Sequence, residues 1–161
     1  MVKVLFVCMG NICRSPAAEG IFKKLVTEAK LEEEILVDSA GTIGYHSGEL
    51  PDPRMRKQAA IYGYDLDSRA RQFNPNKDFE EFDYIITMDN DNYSEIKNLD
   101  KKHLYDEKIF KMADFIPDKN IKEVPDPYYG GKDDFDFVIK LLEDGTKNLL
   151  TKIKNRLDRK N

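Results

Sequence analysis

The 161 residues carry 26 Lys and Arg against 30 Asp and Glu, a net charge of −4, with 40% hydrophobic and 35% charged positions. That length suits one domain, residues 1–161, with a real core. The charge balance excludes a basic footprint for nucleic acid or an anionic membrane, so an anionic substrate would need a local positive site.

The apolar start, Met1 to Val7, gives way at once to a polar loop. It is too short for a signal-peptide core or a membrane span. The only two cysteines, Cys8 and Cys13, share that loop and make a poor fold staple. A reducing compartment, the cytoplasm, is expected. Asn92-Tyr93-Ser94 matches a glycosylation sequon, incidental in a chain with no secretory signal.

Taken in chain order, apolar runs alternate with amphipathic stretches, the βα pattern of a parallel sheet covered by helices. Val2 to Val7 predicts a strand buried on both faces. Ser15 followed by Pro16 predicts a helix start with Ser15 as N-cap. Ala18, Ile21, Phe22, Leu25 and Ala29 then carry a helical stripe to about Lys30. Ile35 to Asp38 is a second strand, ended by Ser39-Ala40-Gly41-Thr42. A helix over Arg54 to Tyr62 stops at Gly63. Phe82 to Met88 is a third strand, Asn90 to Asn98 a short helix, and Ile109 to Met112 a weaker fourth strand. Phe135, Val138, Ile139, Leu142, Leu149, Leu150 and Ile153 mark a long last helix. The sum is an α/β fold of three layers. A twisted four-stranded parallel sheet, order 2-1-3-4, has helices on both faces in a Rossmann-like arrangement. Ligands of such sheets bind beyond the carboxyl ends of the strands.

The loop Cys8-Met9-Gly10-Asn11-Ile12-Cys13-Arg14-Ser15 sits at such an end. Five residues separate Cys8 from Arg14, which puts the thiol at the floor of a tight loop and the guanidinium at its rim. Gly10 permits a positive φ and Asn11 tolerates one. The amides of Met9, Gly10, Asn11, Ile12 and Cys13, turned inward, would form a nest for an anion. The following helix adds free N–H groups and the positive end of its dipole. Arg14 can hold two phosphate oxygens in a planar fork. These groups favour a thiolate at Cys8. In line with phosphorus it is an activated nucleophile that would form a phosphocysteine. Ser15 is placed to donate to the sulfur and help it leave. No Walker loop, dinucleotide glycine triplet or Cys-x-x-Cys is present, and His46 and His103 lack metal-ligand spacing.

Displacing a phenoxide requires a proton donor. Val124-Pro125-Asp126-Pro127-Tyr128-Tyr129 stiffens an aspartate between two prolines and places flat aromatic surfaces beside it. Asp126 is thus a candidate general acid, although Asp-Pro-Tyr taken alone is also an ordinary turn.

With Cys8 to Pro16, Asp38-Ser39-Ala40-Gly41-Thr42, Phe82-Asp83-Tyr84-Ile85, Met88-Asp89 and Asp126-Pro127-Tyr128-Tyr129 in this order, the chain resembles the low-molecular-weight protein tyrosine phosphatases over its whole length. The resemblance implies Cys8 as nucleophile, Arg14 as phosphate clamp and Asp126 as general acid. It further implies that Asn11, Ser15 and Ser39 brace the loop by hydrogen bonds, and that Tyr45 and Tyr128 wall an aromatic pocket. Ser39 and Tyr45 carry no such signal by themselves. Ser68 stands where many members have a histidine that supports the loop asparagine, which leaves the restraint of Asn11 open. Asp89 and Asn92 read as a helix cap.

Two rivals compete. A thiol-dependent arsenate reductase of this fold needs a third cysteine to pass a disulfide outward, and a non-catalytic phosphotyrosine-binding module has no use for both Cys8 and Asp126. The expected activity is therefore hydrolysis of aryl phosphate monoesters with no cofactor and no metal. The expected partners are a phosphotyrosine protein or a small aryl phosphate, with no nucleic acid and no membrane, for a monomer or weak homodimer. Cys13 carries two open readings: a redox partner that protects Cys8 by a reversible disulfide, or a packing residue beneath the loop.

Overall fold

The computed structural model describes residues 1–161. Four strands, β1 (Val2–Cys8), β2 (Ile35–Gly41), β3 (Tyr84–Thr87) and β4 (Ile109–Lys111), form one parallel sheet in the order β2-β1-β3-β4. The α/β architecture and strand order expected from the sequence are the ones observed. Helices α1 (Arg14–Glu28), α2 (Pro53–Ile61), α3 (Asp78–Glu81), α4 (Asn90–Leu99) and α5 (Lys132–Lys160) cover it. No helix is long and apolar enough to cross a membrane.

Side chains of a strand alternate between faces, and β1 shows why it had to be apolar at every position but Lys3, at its start. Val4, Phe6 and Cys8 join the larger core with α1 and α5, where Phe22, Phe135, Val138 and Leu142 are buried. Leu5 and Val7 face the other way into a smaller core with Phe73, Phe79, Phe82, Ile85 and Ile96. Both faces of the central strand are sealed, so β1 ends in a rigid platform for the loop that follows.

The strands run longer or shorter than expected for local reasons. β2 continues to Gly41 because Ser39, Ala40 and Gly41 pair in register with Phe6, Val7 and Cys8. Its free edge is covered by residues 70–73: Gly41 N–H donates to Arg71 O at 2.8 Å, and Phe73 N–H to Gly41 O at 2.8 Å. β3 contracts to Tyr84–Thr87, with Phe82 and Met88 serving as core residues outside the ladder. Helix α1 begins two residues earlier than predicted, with Cys13 as N-cap, so Ser15 lies inside the first turn and is not the cap.

Helix α2 is capped by Asp52, whose Oδ1 accepts from Arg54 N at 2.8 Å while its carboxylate grips the Arg54 guanidinium at 2.8 Å and 3.1 Å. The bond to Arg54 holds the Asp52 carboxyl below its ordinary value, against burial, which acts to raise it. A depressed folded value contributes stability that is complete above the unfolded pKa of about 4 and is lost as pH falls through the folded value. Asp52→Ala should therefore cost about 1 kcal/mol or more at pH 7 through the lost cap. In thermal melts this is a drop of roughly 2–4 °C for a chain of this size, narrowing as the solution is taken below about pH 4.

Candidate active site

The loop after β1 is held by its carbonyls. Met9 O accepts from Ile43 N at 3.1 Å, Ile12 O from Asp52 N at 2.7 Å and Cys13 O from Ala17 N at 3.2 Å. None of the backbone N–H groups from Met9 to Cys13 has an acceptor within the protein. Buried or half-buried amides rarely stay unpaired, and five in succession, with outward carbonyls anchored, form a cradle for a multivalent anion. Asn11 supplies the left-handed residue that bends the loop, with φ 57°. Gly10 does not: the positive φ expected there is absent. Its value is space, because a methyl at Gly10 would lie 3.1 Å from His46 Cδ2. At Gly41 one would lie 2.7 Å from Met9 O, so β2 approaches the loop as closely as only glycine permits.

Cys8 lies on the cradle floor, 3% exposed, with Ser15 Oγ 3.0 Å from its Sγ. Ser15 accepts from Asn11 Nδ2 at 2.7 Å, which leaves its own proton for the sulfur rather than for Ala40 O at 3.4 Å. The other Asn11 N–H goes to Ser39 Oγ at 2.9 Å, and Asn11 Oδ1 accepts from Arg71 N at 3.0 Å. Every polar atom of the Asn11 side chain is thus occupied. A backbone amide brought in by residues 70–73 restrains it where a histidine was looked for at Ser68. Ser39 passes its own proton to Glu19 Oε1 at 2.6 Å, and Lys23 neutralises Glu19 at 2.5 Å.

Arg14 is 2% exposed at the cradle rim. Nη1 donates to Asp89 Oδ2 at 2.6 Å and to Val124 O at 3.0 Å, and Nη2 lies 3.7 Å from Asp126 Oδ2. Burial works against its charge, but Cys8, Asp89 and Asp126 together raise its pKa above the ordinary arginine value. Asp89 also caps α4, accepting from Asn92 N at 2.8 Å. The capping role read from sequence is present, but it accounts for only one of the two carboxylate oxygens.

Asp126 projects over the same opening with its side chain 45% exposed, and Oδ1 accepts from Tyr128 N at 3.1 Å. Val124 N–H donates to Met88 O at 2.8 Å, which ties the start of this loop to the end of β3. Arg54 ties its far side: Nη1 donates to Tyr128 O at 2.9 Å, and the guanidinium lies 5.1 Å from the Tyr128 ring centroid and 4.9 Å from that of Phe135. The resulting cavity of about 290 Å³ brings together Cys8, Arg14, Asp126, Tyr45 and Tyr128. Met9, Gly10, Ile12 and Cys13 also line it, whereas Asn11 and Ser39 lie beneath the loop. Tyr129, 96% exposed, stands at the mouth with its ring edge-on to Tyr128. Cys13 is buried, and burial, then Asp52, pushes its thiol well above the ordinary range.

Six contributors were missed in the sequence: Glu19, Ile43, His46, Asp52, Arg54 and Arg71. Glu19 alone had a readable signal, being a carboxylate four residues after Ser15 on the apolar stripe of α1.

A two-sided parallel sheet thus carries an anion cradle that closes on a thiol and a buried arginine, with a carboxyl above an aromatic-walled slot. The profile of the "Low molecular weight phosphotyrosine protein phosphatase" family matches residues 3–160. The chain is 37% identical to the Bacillus subtilis low-molecular-weight protein-tyrosine-phosphatase YfkJ over 95% of this chain and 96% of that one. It is 41% identical to the human low-molecular-weight phosphotyrosine protein phosphatase over 84% and 85%. The crystal structure of a protein tyrosine phosphatase from Entamoeba histolytica with Hepes in its active site superposes with a TM-score of 0.92 at 49% identity, covering 96% of this chain and 98% of that one. The chain belongs to the low-molecular-weight protein-tyrosine phosphatase family, and phosphotyrosine substrates are implied.

Proposed function

We propose that Cys8, Arg14 and Asp126 carry out two-step hydrolysis of phosphotyrosine on proteins, and of small aryl phosphates, without a metal. The observation that supports this most is the run of five unpaired amides around Cys8, with Arg14 and Asp126 facing the same space. The substrate ring enters between Tyr45 and Tyr128 while three phosphoryl oxygens take the amides and Arg14. The Cys8 thiolate attacks phosphorus as the phosphorus–oxygen bond breaks, and Asp126 gives its proton to the departing phenoxide. Water then gives a proton to Asp126 and attacks the phosphocysteine. Phosphate leaves, and the Ser15 hydroxyl receives the developing charge on sulfur. Turnover of p-nitrophenyl phosphate in excess EDTA, abolished by vanadate, is the expected result. A strict metal requirement, or arsenate reduction in place of hydrolysis, would contradict it.

Arg54 serves this reaction as a positioning residue, because it joins the loop after Pro125 to Asp52, which holds the phosphate loop at Ile12 O. Arg54→Ala should reduce kcat/KM on phenyl phosphate by about tenfold or more, since small displacements of a catalytic group cost up to about 10²-fold. Nitrophenyl phosphate, whose leaving group needs little proton assistance, should be affected much less. An equal loss on both substrates would mean the variant acts through general destabilisation.

We further infer that residues 1–161 work as one catalytic domain, a monomer or weak homodimer, in the reducing cytoplasm, where both buried thiols stay free. Oxidation by peroxide joins Cys8 to Cys13: the Cys8 sulfenic acid loses water as the Cys13 sulfur attacks it, and a dithiol later reduces the bond. Cys13→Ser should therefore lose activity irreversibly under peroxide doses from which the parent recovers on adding dithiothreitol. Equal recovery would leave Cys13 a packing residue.

A further inference from the structure

The last fifteen residues hold six Lys or Arg against one Asp, a net +5 in a chain of net −4, so the other 146 residues carry −9. This charge is not spread evenly around α5. Asn148, Thr151, Lys152, Asn155, Arg156 and Arg159 recur at three- and four-residue spacing and line one face of the helix. Together with Tyr84 at the start of β3, they enclose a cleft of about 520 Å³, larger than the catalytic one. The chain runs from Tyr84 through β3 and Met88 to Asp89 beside Arg14, so the cleft lies up to roughly 16 Å from the catalytic end of the sheet at about 3.3 Å per residue.

The cations in this cleft are held ready. Lys152 Nζ sits 4.6 Å from the Phe110 ring centroid, 5.6 Å from Phe115 and 5.9 Å from Tyr84, and it has no carboxylate partner. Ring faces replace part of its hydration and fix its position. Arg156 is shared between Tyr84 and Asp83, the latter at 3.3 Å. Arg159 forms no ion pair, and the Asn155 amide makes no hydrogen bond. Nothing within the protein neutralises Lys152 or Arg159.

We propose that this cleft binds an extended acidic peptide segment of a partner protein. Lys152, Arg156 and Arg159 succeed one another at rises of about 6 Å and 4.5 Å along the helix. Alternate carboxylates on one side of an extended chain recur at about 6.7 Å, close to the first of these steps, and the long Arg159 side chain can reach the next carboxylate. The free Asn155 amide can pair with the backbone of such a segment, and the Thr151 hydroxyl, which donates to Lys147 O at 3.2 Å, can still accept from it. A single phosphate would reach only part of the roughly 10 Å span. A nucleotide would find no flat surface for its base, because Tyr84 is 5% exposed. Long polyanions and anionic bilayers are repelled by the −9 on the rest of the molecule, which a short segment avoids.

The test uses the full chain and a fluorescein-labelled octapeptide of alternating Glu and Ser, followed by anisotropy, with a Gln-Ser peptide as control. Saturable binding that weakens with added salt is expected for the Glu peptide alone. Arg159→Glu combined with Asn155→Glu should weaken it at least about tenfold through like-charge repulsion. Both positions are exposed, so circular dichroism and turnover of p-nitrophenyl phosphate should match the parent. Arg159→Ala should give a smaller loss in the same direction. Saturating vanadate should leave the peptide bound. No saturable binding, binding indifferent to these variants, displacement by vanadate, or equal affinity for a short single-stranded DNA would each overturn the proposal.

Discussion

Cys8→Ser is expected to lower kcat on p-nitrophenyl phosphate by at least about 10⁴-fold, the scale on which removal of a covalent nucleophile acts, while leaving phosphotyrosine binding within a few-fold. The separation follows from how the site is built. Binding rests on five backbone amides and on Arg14, which is fixed by Asp89 and Val124 O, and none of these depends on the sulfur. The serine hydroxyl would keep the Ser15 contact, so the cradle should hold its shape. Isothermal titration with a phosphotyrosine peptide would show retained affinity alongside lost turnover. Lost affinity would mean that the thiol organises the loop, and retained turnover would exclude a covalent route through Cys8.

The second large effect is expected at Asp126, and it should depend on the leaving group. Phenol has a pKa near 10, so its phenoxide departs slowly unless a proton arrives with bond cleavage. General-acid assistance of this kind is worth about 10²–10⁴-fold. In kcat/KM, which reports the phosphorylation step, Asp126→Ala should lose that amount on phenyl phosphate or a phosphotyrosine peptide and much less on nitrophenyl phosphate. The carboxyl is 3.7 Å from Arg14 and half-exposed, so its removal leaves no buried charge unpaired and should not unfold the chain. Parallel kcat/KM measurements across a series of aryl phosphates would give a steeper dependence on leaving-group pKa in the variant. An unchanged slope would assign the acid role to another residue.

How much of this was legible in the sequence depends on the range of the interactions. β1 was legible because both of its faces are buried and its run from Val4 to Cys8 is continuously apolar. The nucleophile and the clamp were legible because one short loop contains both. The extension of β2 through Ser39-Ala40-Gly41 was not, because turn-like residues there are held by register with β1 rather than by their own preference. The missing loop histidine illustrates the same limit: Asn11 is restrained by the Arg71 amide, sixty positions away. Asp89 reads locally as a cap and is one, yet its second oxygen holds Arg14, seventy-five positions distant. Arg54 reads as a helix-start residue, and its contact with Tyr128 O spans seventy-four positions. Positive φ was assigned correctly to Asn11 and wrongly to Gly10, because glycine is needed there for its lack of a side chain next to His46. Glu19 could have been found, since a carboxylate on a buried helical stripe requires partners, and here they are Ser39 and Lys23.

The covalent step is open to direct observation. Acid-quenching the Asp126→Ala variant during turnover of p-nitrophenyl phosphate, followed by peptide mass spectrometry, should find one phosphoryl group on the peptide carrying Cys8. This variant retains the attack but lacks the base that activates water. A phosphoryl group on His46 or Cys13 instead, or no adduct at any quench time while turnover proceeds, would contradict a phosphocysteine at Cys8.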